Sequence, residues 1–379
     1  MKLDDLLTVL NQVAPERLAG DWDQVGLHLA GDKKRVRRAM LCIDLTPPVL
    51  EEAIQHKCQL IVAYHPPIFS PLRRLADRDW RETMLARAIR SGIAVYSPHS
   101  SLDAVREGMN DWLCDGLGKH SVRWSLGVAK DYKTYRYKII VDVPPANADY
   151  LRKAMWSAGA GDIGDYSECS FTHRGVGTFQ GGRGSQPAIG KAGRRETLDE
   201  MRIEMICGRT NLGEVLHQIR ATHPYEEPAI GVLELKAEPS PEGQEEGPGR
   251  CHRLLRPISA STLIRRVKAH LGLKRLKAAI PGTYGSAELP NKIESIAVCV
   301  GAGGSLFDNY LSADAYITGE MRHHQVLDMV QRGKVIILAG HTNTERPFLS
   351  DYRESIVAKG GARVQWIIST EDRAPLAIV

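Results

Sequence analysis

Residues 36–97 alternate between short apolar runs and amphipathic stretches, in the order VRRAMLCID, PPVLEEAIQHK, QLIVAY, DWRETMLARAIRS and GIAVYS. No other feature constrains the fold as much, because neighbouring parallel strands must be joined by a crossover and a helix of this length supplies one. The same rhythm returns near the other end, with ISASTLIRRVKAHL, ESIAVCVG, ADAYIT, GEMRHHQVLDMVQRG, KVIILAG, PFLSDYRESIVAKG and RVQWIIS. The expectation is one α/β core built from two βα-repeat halves, residues 1–128 and 253–379. Leu3, Leu6, Leu7 and Leu10, at helical spacing, add an amphipathic helix in front of the first half.

The middle of the chain breaks the rhythm. RYKIIVDVP, ADYLRKAMWSAG and SECSFTHRGVGTFQ read as strand, helix and strand, and MRIEMICG, NLGEVLHQIRATH and PAIGVLELK repeat the pattern as strand, helix and strand. Two such units predict a ferredoxin-like α+β domain inserted over residues 129–238. AEPSPEGQEEGPG has too little apolar surface to order itself, so residues 239–252 read as a linker.

Composition narrows the function. The chain has 379 residues, 43% hydrophobic and 25% charged, as soluble globular proteins do, and its net charge of +5 is small for a dedicated nucleic-acid binder. The basic run KKRVRR and the residues Arg265, Arg266, Lys268, Lys274, Arg275 and Lys277 along one helical region read as solvated faces. No apolar stretch reaches the roughly 18–20 residues of a membrane span, and MKLDDLLTVL carries acids where a signal peptide carries positive charge. A cytoplasmic protein is expected. The seven cysteines lack CxxC pairing and several sit inside apolar runs, which predicts buried, reduced thiols.

Ligands of open α/β sheets bind beyond the carboxyl ends of the strands. The residues there share one chemistry: His65 after QLIVAY, His99 and Asp103 after GIAVYS, Glu320, His323 and His324 after ADAYI, and His341 and Glu345 after KVIILAG. Imidazoles with carboxylates suit a divalent metal, and several carboxylates suit a pair of metals. Each element also has a plain structural reading. Asp103 could cap a helix, Thr342 and Glu345 match a capping box, and Asp23 fits turn chemistry. Glu320 and His324 share a face if a helix starts at Thr318, as an ordinary surface pair would. GAGGS at 301–305 follows a strand and could offer N–H groups to a phosphate, without a Walker lysine. SPHSSLD lacks the strand-turn-helix elbow of a serine nucleophile.

IVAYHPPIF, YSPHSSLDA, YITGEMRHH and AGHTNTER, in this order around an insert containing GVGTFQ and HPYEEPAIGVLEL, resemble the Nif-three-like family, whose members are labelled type-two homologues of GTP cyclohydrolase I. The resemblance spans essentially the whole chain. It implies a dinuclear metal site between the two halves, a PII-like or divalent-cation-tolerance-like insert, and toroidal homohexamers. It makes His65, Asp103 and His341 ligands and Glu345 the carboxylate bridging two metals, of zinc, iron or manganese. Tyr64 departs from the family, many of whose members have a ligand histidine there. The second metal then has fewer protein ligands, or His99 or a phenolate substitutes, or one metal binds tightly. The implied function is a metal-dependent hydrolase acting on a nucleotide or related small molecule, with Glu320 or His99 moving protons. The alternative is a metal-binding or metal-trafficking regulatory assembly whose insert docks a partner through the HPYEEP loop at 223–228.

Overall fold

The computed structural model describes residues 1–72, 74–76, 78–127, 137–163, 166–235, 245–282 and 292–376. They fall into two compact units, Met1–Lys130 with Pro239–Val379, and Asp131–Glu238.

Among the described residues, the first unit contains two sheets. One runs in the order Gly26–Leu29, Ala94–Ser97, Leu60–Ala63, Arg38–Cys42, Gln365–Ile368. All neighbours are parallel except Gly26–Leu29, an antiparallel edge. The crossovers are the expected helices Pro47–Gln55 and Trp80–Arg90. The first has Pro47 in its opening turn, where the missing N–H costs nothing. The second starts at Asp79, whose carboxylate accepts from the backbone N–H groups of Arg81 and Glu82 at 2.8 and 2.9 Å.

The other sheet runs Lys277–Ala279, Val335–Leu338, Ala315–Glu320, Ile293–Ala302, Arg250–Ile258, His120–Trp124. Its three inner strands from 293 to 338 are parallel and the flanking ones antiparallel. The period of two along each strand divides the core. Leu41, Val62 and Tyr96 of the first sheet and Ile296, Ile317 and Ile337 of the second share a single cluster with Leu6 and Leu10 of the leading helix. Met40, Ile61 and Val95 face the other way, onto Leu50 and Leu85 of the crossover helices.

The two halves exchange strands within the one core: the last strand, Gln365–Ile368, completes the first sheet, and His120–Trp124 joins the second. The end of the linker is ordered, since Arg250, Cys251 and His252 are buried strand residues paired with Val298, Ala297 and Ile296. Arg250 is held there by the Asp111 carboxylate and by the carbonyls of Ala104, Val105, Gly247 and Gly249, so a charged residue satisfies itself in the core. The basic region is not one helix either. The helix ends at Leu271 with Gly272 in the left-handed region, and Lys277 begins a strand.

The second unit has the order strand Tyr137–Val143, helix Ala148–Ser157, strands Phe171–Gln180 and Arg195–Cys207, helix Arg209–Thr222, strand Ile230–Glu234. Its sheet is antiparallel in the order 171–180, 195–207, 137–143, 230–234. Ile139, Val141, Ile203 and Met205 pack with Leu151, Met155, Val215 and Ile219 of the two helices.

Candidate metal centre

The candidate residues gather where carboxyl ends of strands from both sheets of the first unit meet. His65 follows the all-buried strand LIVA and is stopped from continuing it by Pro66 and Pro67. His341 and Glu345 follow Val335–Leu338 through Gly340, at φ +94°, and a short turn over Thr342–Thr344. One ligand-type atom each from His65, His341 and Glu345 lies within 4.8 Å of the others. The Glu345 carboxylate sits between the two rings: His65 Nε2 is 3.6 Å from Oε2 and His341 Nε2 is 3.4 Å from Oε1. That carboxylate is 1% exposed, and its Oε2 has no hydrogen-bond partner. A buried, half-satisfied carboxylate is costly unless something cationic completes it.

Behind each histidine stands another carboxylate. His65 Nδ1 donates to Asp44 at 2.9 Å, His341 Nδ1 to Glu320 at 2.8 Å, and His99 Nδ1 to Asp23 at 2.7 Å. Such contacts hold each ring by Nδ1 and leave Nε2 as the nitrogen a metal would take once it carries no proton, the arrangement that metal-binding histidines use. Asp23 is pinned in turn by the N–H and hydroxyl of Ser100 at 3.0 and 2.5 Å, so the turn carries a site residue. Its burial raises the carboxyl pKa, but His99 and Ser100 outweigh that and hold it below the ordinary value. His99 itself sits at φ +27°, a conformation rare for a side-chain-bearing residue.

The other expected residues lie beside the three-residue cluster. Asp103 accepts a hydrogen bond from the Tyr64 hydroxyl at 2.7 Å. Burial pushes the Asp103 carboxyl up to about 7, against the pull of His99 and Tyr64. Burial, with the charges of Asp103 and Glu345, raises the Tyr64 phenol well above its usual value. Tyr64 is therefore a neutral donor to Asp103. The His99 ring packs on Tyr64 and His65, with centroids 5.3 and 5.4 Å away, outside the three-residue cluster. Trp22 meets the His99 ring edge-on at 5.8 Å and lies 6.1 Å from Phe69, and the two are 62% and 45% exposed.

Glu320 is not on a helix. It ends the strand Ala315–Glu320, and the helix begins at His323, where His323 and His324 are exposed. Thr318 caps nothing, since its hydroxyl donates to the Gly301 carbonyl and accepts from Gly303 N–H inside the sheet. GAGGS is spent on packing as well: Gly301 N–H donates to Thr344. Gly301 has φ +64°, and a Cβ on it would come within 2.7 Å of Glu345 Oε1 and 3.2 Å of His341 Nε2. Only glycine leaves room for the cluster. The residue that sequence reasoning missed is Asp44, although it follows AMLCI at the end of a parallel strand, where the same rule finds the others.

The class of protein is an α/β core that gathers histidines and carboxylates at its strand ends, with His65, His341 and Glu345 as a candidate metal centre. The Duf34/NIF3 (NGG1p interacting factor 3) family model matches residues 1–375, and the chain belongs to that family. It is 35% identical to NIF3-like protein 1 of Rattus norvegicus over a 385-residue alignment covering 100% of this chain and 93% of the rat protein. It is 32% identical to a GTP cyclohydrolase 1 type 2 homolog of Mycobacterium bovis over 367 residues, 96% of this chain and 93% of that protein. The crystal structure of a Bacillus cereus protein related to NIF3 superposes with a TM-score of 0.62 at 28% identity, covering 100% of this chain and 99% of that one.

Proposed function

We propose that the chain is a metal-dependent hydrolase whose centre holds a divalent metal on His65, His341 and Glu345, with Asp103 as a further ligand. The observation that carries this is the buried Glu345 carboxylate with a free oxygen, between two histidines whose far nitrogens are each fixed by a carboxylate. Two imidazoles with carboxylate oxygens fit zinc, iron or manganese, and Glu345, facing both rings, is suited to bridge a second ion. Bound there, such a metal supplies a Lewis acid and lowers the pKa of water toward 7.

The chain's own residues divide the remaining work. Asp44 and Glu320 orient the His65 and His341 rings, which makes Glu320 a positioning residue. His99, its Nδ1–H spent on Asp23, presents Nε2 as a proton acceptor beside the centre. Tyr64 steadies the Asp103 carboxylate. Trp22, edge-on to His99, and Phe69 beside Trp22 are large exposed rings that offer a shelf for a planar substrate. A nucleotide-like substrate agrees with that shelf and with the name GTP cyclohydrolase 1 type 2 homolog carried by a relative. The order of strands and helices in the second unit supports a ferredoxin-like insert. A homohexameric, cytoplasmic protein completes the reading; among the described residues no helix is long and apolar enough to cross a membrane.

The test is turnover of the metal-loaded protein across nucleotide, phosphoester and amide panels, with His341→Ala and Trp22→Ala beside the wild type. Turnover lost in His341→Ala together with metal, and a raised KM in Trp22→Ala, are expected. Absence of turnover in wild type that retains its metal rejects the hydrolase and returns the regulatory metal-binding reading.

A further inference from the structure

The second unit carries a cavity of about 640 Å³, within the range of roughly 300–1,000 Å³ usual for small-molecule sites. Its floor is the sheet face opposite the helices. Asp142, Glu200 and Arg202 line it, whereas their neighbours Val141, Val143 and Ile203 point into the helix-covered core. Two positions of the edge strand are bare: Gly175 stands opposite Glu200, and Gly177 opposite Leu198. A Cβ on Gly175 would meet nothing within 4 Å, so a side chain could fill this slot without disturbing the strand. The walls are loops that bring Ser185, Pro187 and Ala188 from one side and the HPYEEP residues Tyr225, Glu226 and Glu227 from the other. Backbone N–H of Gln186 donates to Glu226 at 3.2 Å and ties these loops together.

The lining selects for charge as well as shape. Phe179 and Tyr225 present rings with centroids 6.4 Å apart. Glu200 accepts from the Tyr225 hydroxyl through Oε1 at 2.8 Å, while its Oε2 lies over Gly177, where a Cβ would be 2.1 Å away. Arg202 is engaged by Asp142 through two bonds of 2.7 and 2.9 Å. With Asp142 and Arg202 paired to each other, the Glu200, Glu226 and Glu227 carboxylates remain, and the other basic side chain on the lining is the His173 imidazole. The field inside is negative, and the rings add cation–π attraction.

We propose that this cavity is a binding site for a small organic cation, an amine or amidine whose apolar body lies on Phe179 and Tyr225 and whose charged head meets Glu200 and Glu226. None of its residues belongs to the metal centre, and the proposal stands apart from the hydrolase reading.

Isothermal titration calorimetry of the full chain with spermidine and with benzamidine tests it, with AMP as an anionic control. Saturable binding of at least one cation is expected, weakened about tenfold or more, equivalent to about 1.4 kcal/mol, by Gly175→Leu, which fills the slot. Glu200→Gln keeps the Tyr225 bond and removes the charge, and should weaken binding similarly; both variants should keep the wild-type melting temperature and metal content. Absence of saturable binding by either cation overturns the proposal, as does cation binding that survives Gly175→Leu. AMP binding abolished by Gly175→Leu also overturns it, because the cavity would then take anions.

Discussion

Loading the centre with metal should release protons in a number that depends on pH. Burial pulls the His65 imidazole down, but its hydrogen bond to Asp44 and the negative charges of Asp44 and Glu345 outweigh that and raise its pKa to about 10. Burial pushes the Asp103 carboxyl up to about 7. Both shifts are upward, so in each case a proton must leave before the group can act as a ligand, and lowering the pH weakens metal binding. His65 should give up a proton at both pH 7 and pH 8.5, whereas Asp103 adds to the release mainly at the lower pH, so more protons should leave per ion at pH 7 than at pH 8.5. Apparent affinity should rise by about tenfold for each pH unit between these values, or somewhat more near pH 7. Calorimetric titration of metal-free protein with Mn²⁺, repeated in buffers of different ionisation enthalpy, counts the protons directly. A count near zero at both pH values refutes the role of His65. A count that does not rise as the pH is lowered from 8.5 through 7 to 6 refutes Asp103 as a ligand.

Three further outcomes follow from the geometry. Glu320→Gln and Asp44→Asn leave His341 and His65 in place but weaken what orients them, and should lower metal affinity by about 10- to 100-fold while the melting temperature moves little. Arg250→Met removes the guanidinium that holds Asp111 and the carbonyls just after Asp103; urea unfolding should show a loss of about 3–5 kcal/mol. Gly301→Ala forces a Cβ against Glu345 and His341 at a left-handed φ, costing about 1 kcal/mol or more in stability together with a clear loss of metal affinity, read by denaturation and metal titration on the same sample.

What could be read from the chain alone followed the range of the interactions. Parallel strands buried on both faces, such as LIVA and VIIL, announce themselves as apolar runs, and the rule that ligands gather at their carboxyl ends is local. That rule picked His65, His341 and Glu345, which the structure brings together, His99, Asp103 and Glu320 beside them, and His323 and His324, which are exposed; applied to AMLCID it also picks Asp44. It could not assign Asp23 to His99, because that pairing spans 76 residues. The strands His120–Trp124 and Arg250–Ile258 were hidden by their polarity. HSVRW is largely exposed, and RCHRLLRPI opens on an arginine whose partners come from residues 104–111 as well as from its own turn. Glu320 looked helical because Thr318 resembles a cap; the Thr318 hydroxyl is instead bonded to Gly301 and Gly303 across the sheet. Each miss is a long-range contact that overrides a local preference.

The metal centre is tested most directly by counting metal on full-length protein purified without added metal, in wild type, His65→Ala, His341→Ala and Glu345→Gln. The geometry of the buried Glu345 carboxylate between His65 and His341 predicts at least about one divalent ion per wild-type chain and a large loss in every variant. Wild type that neither carries nor takes up a divalent ion, or variants that keep the wild-type content, would contradict it.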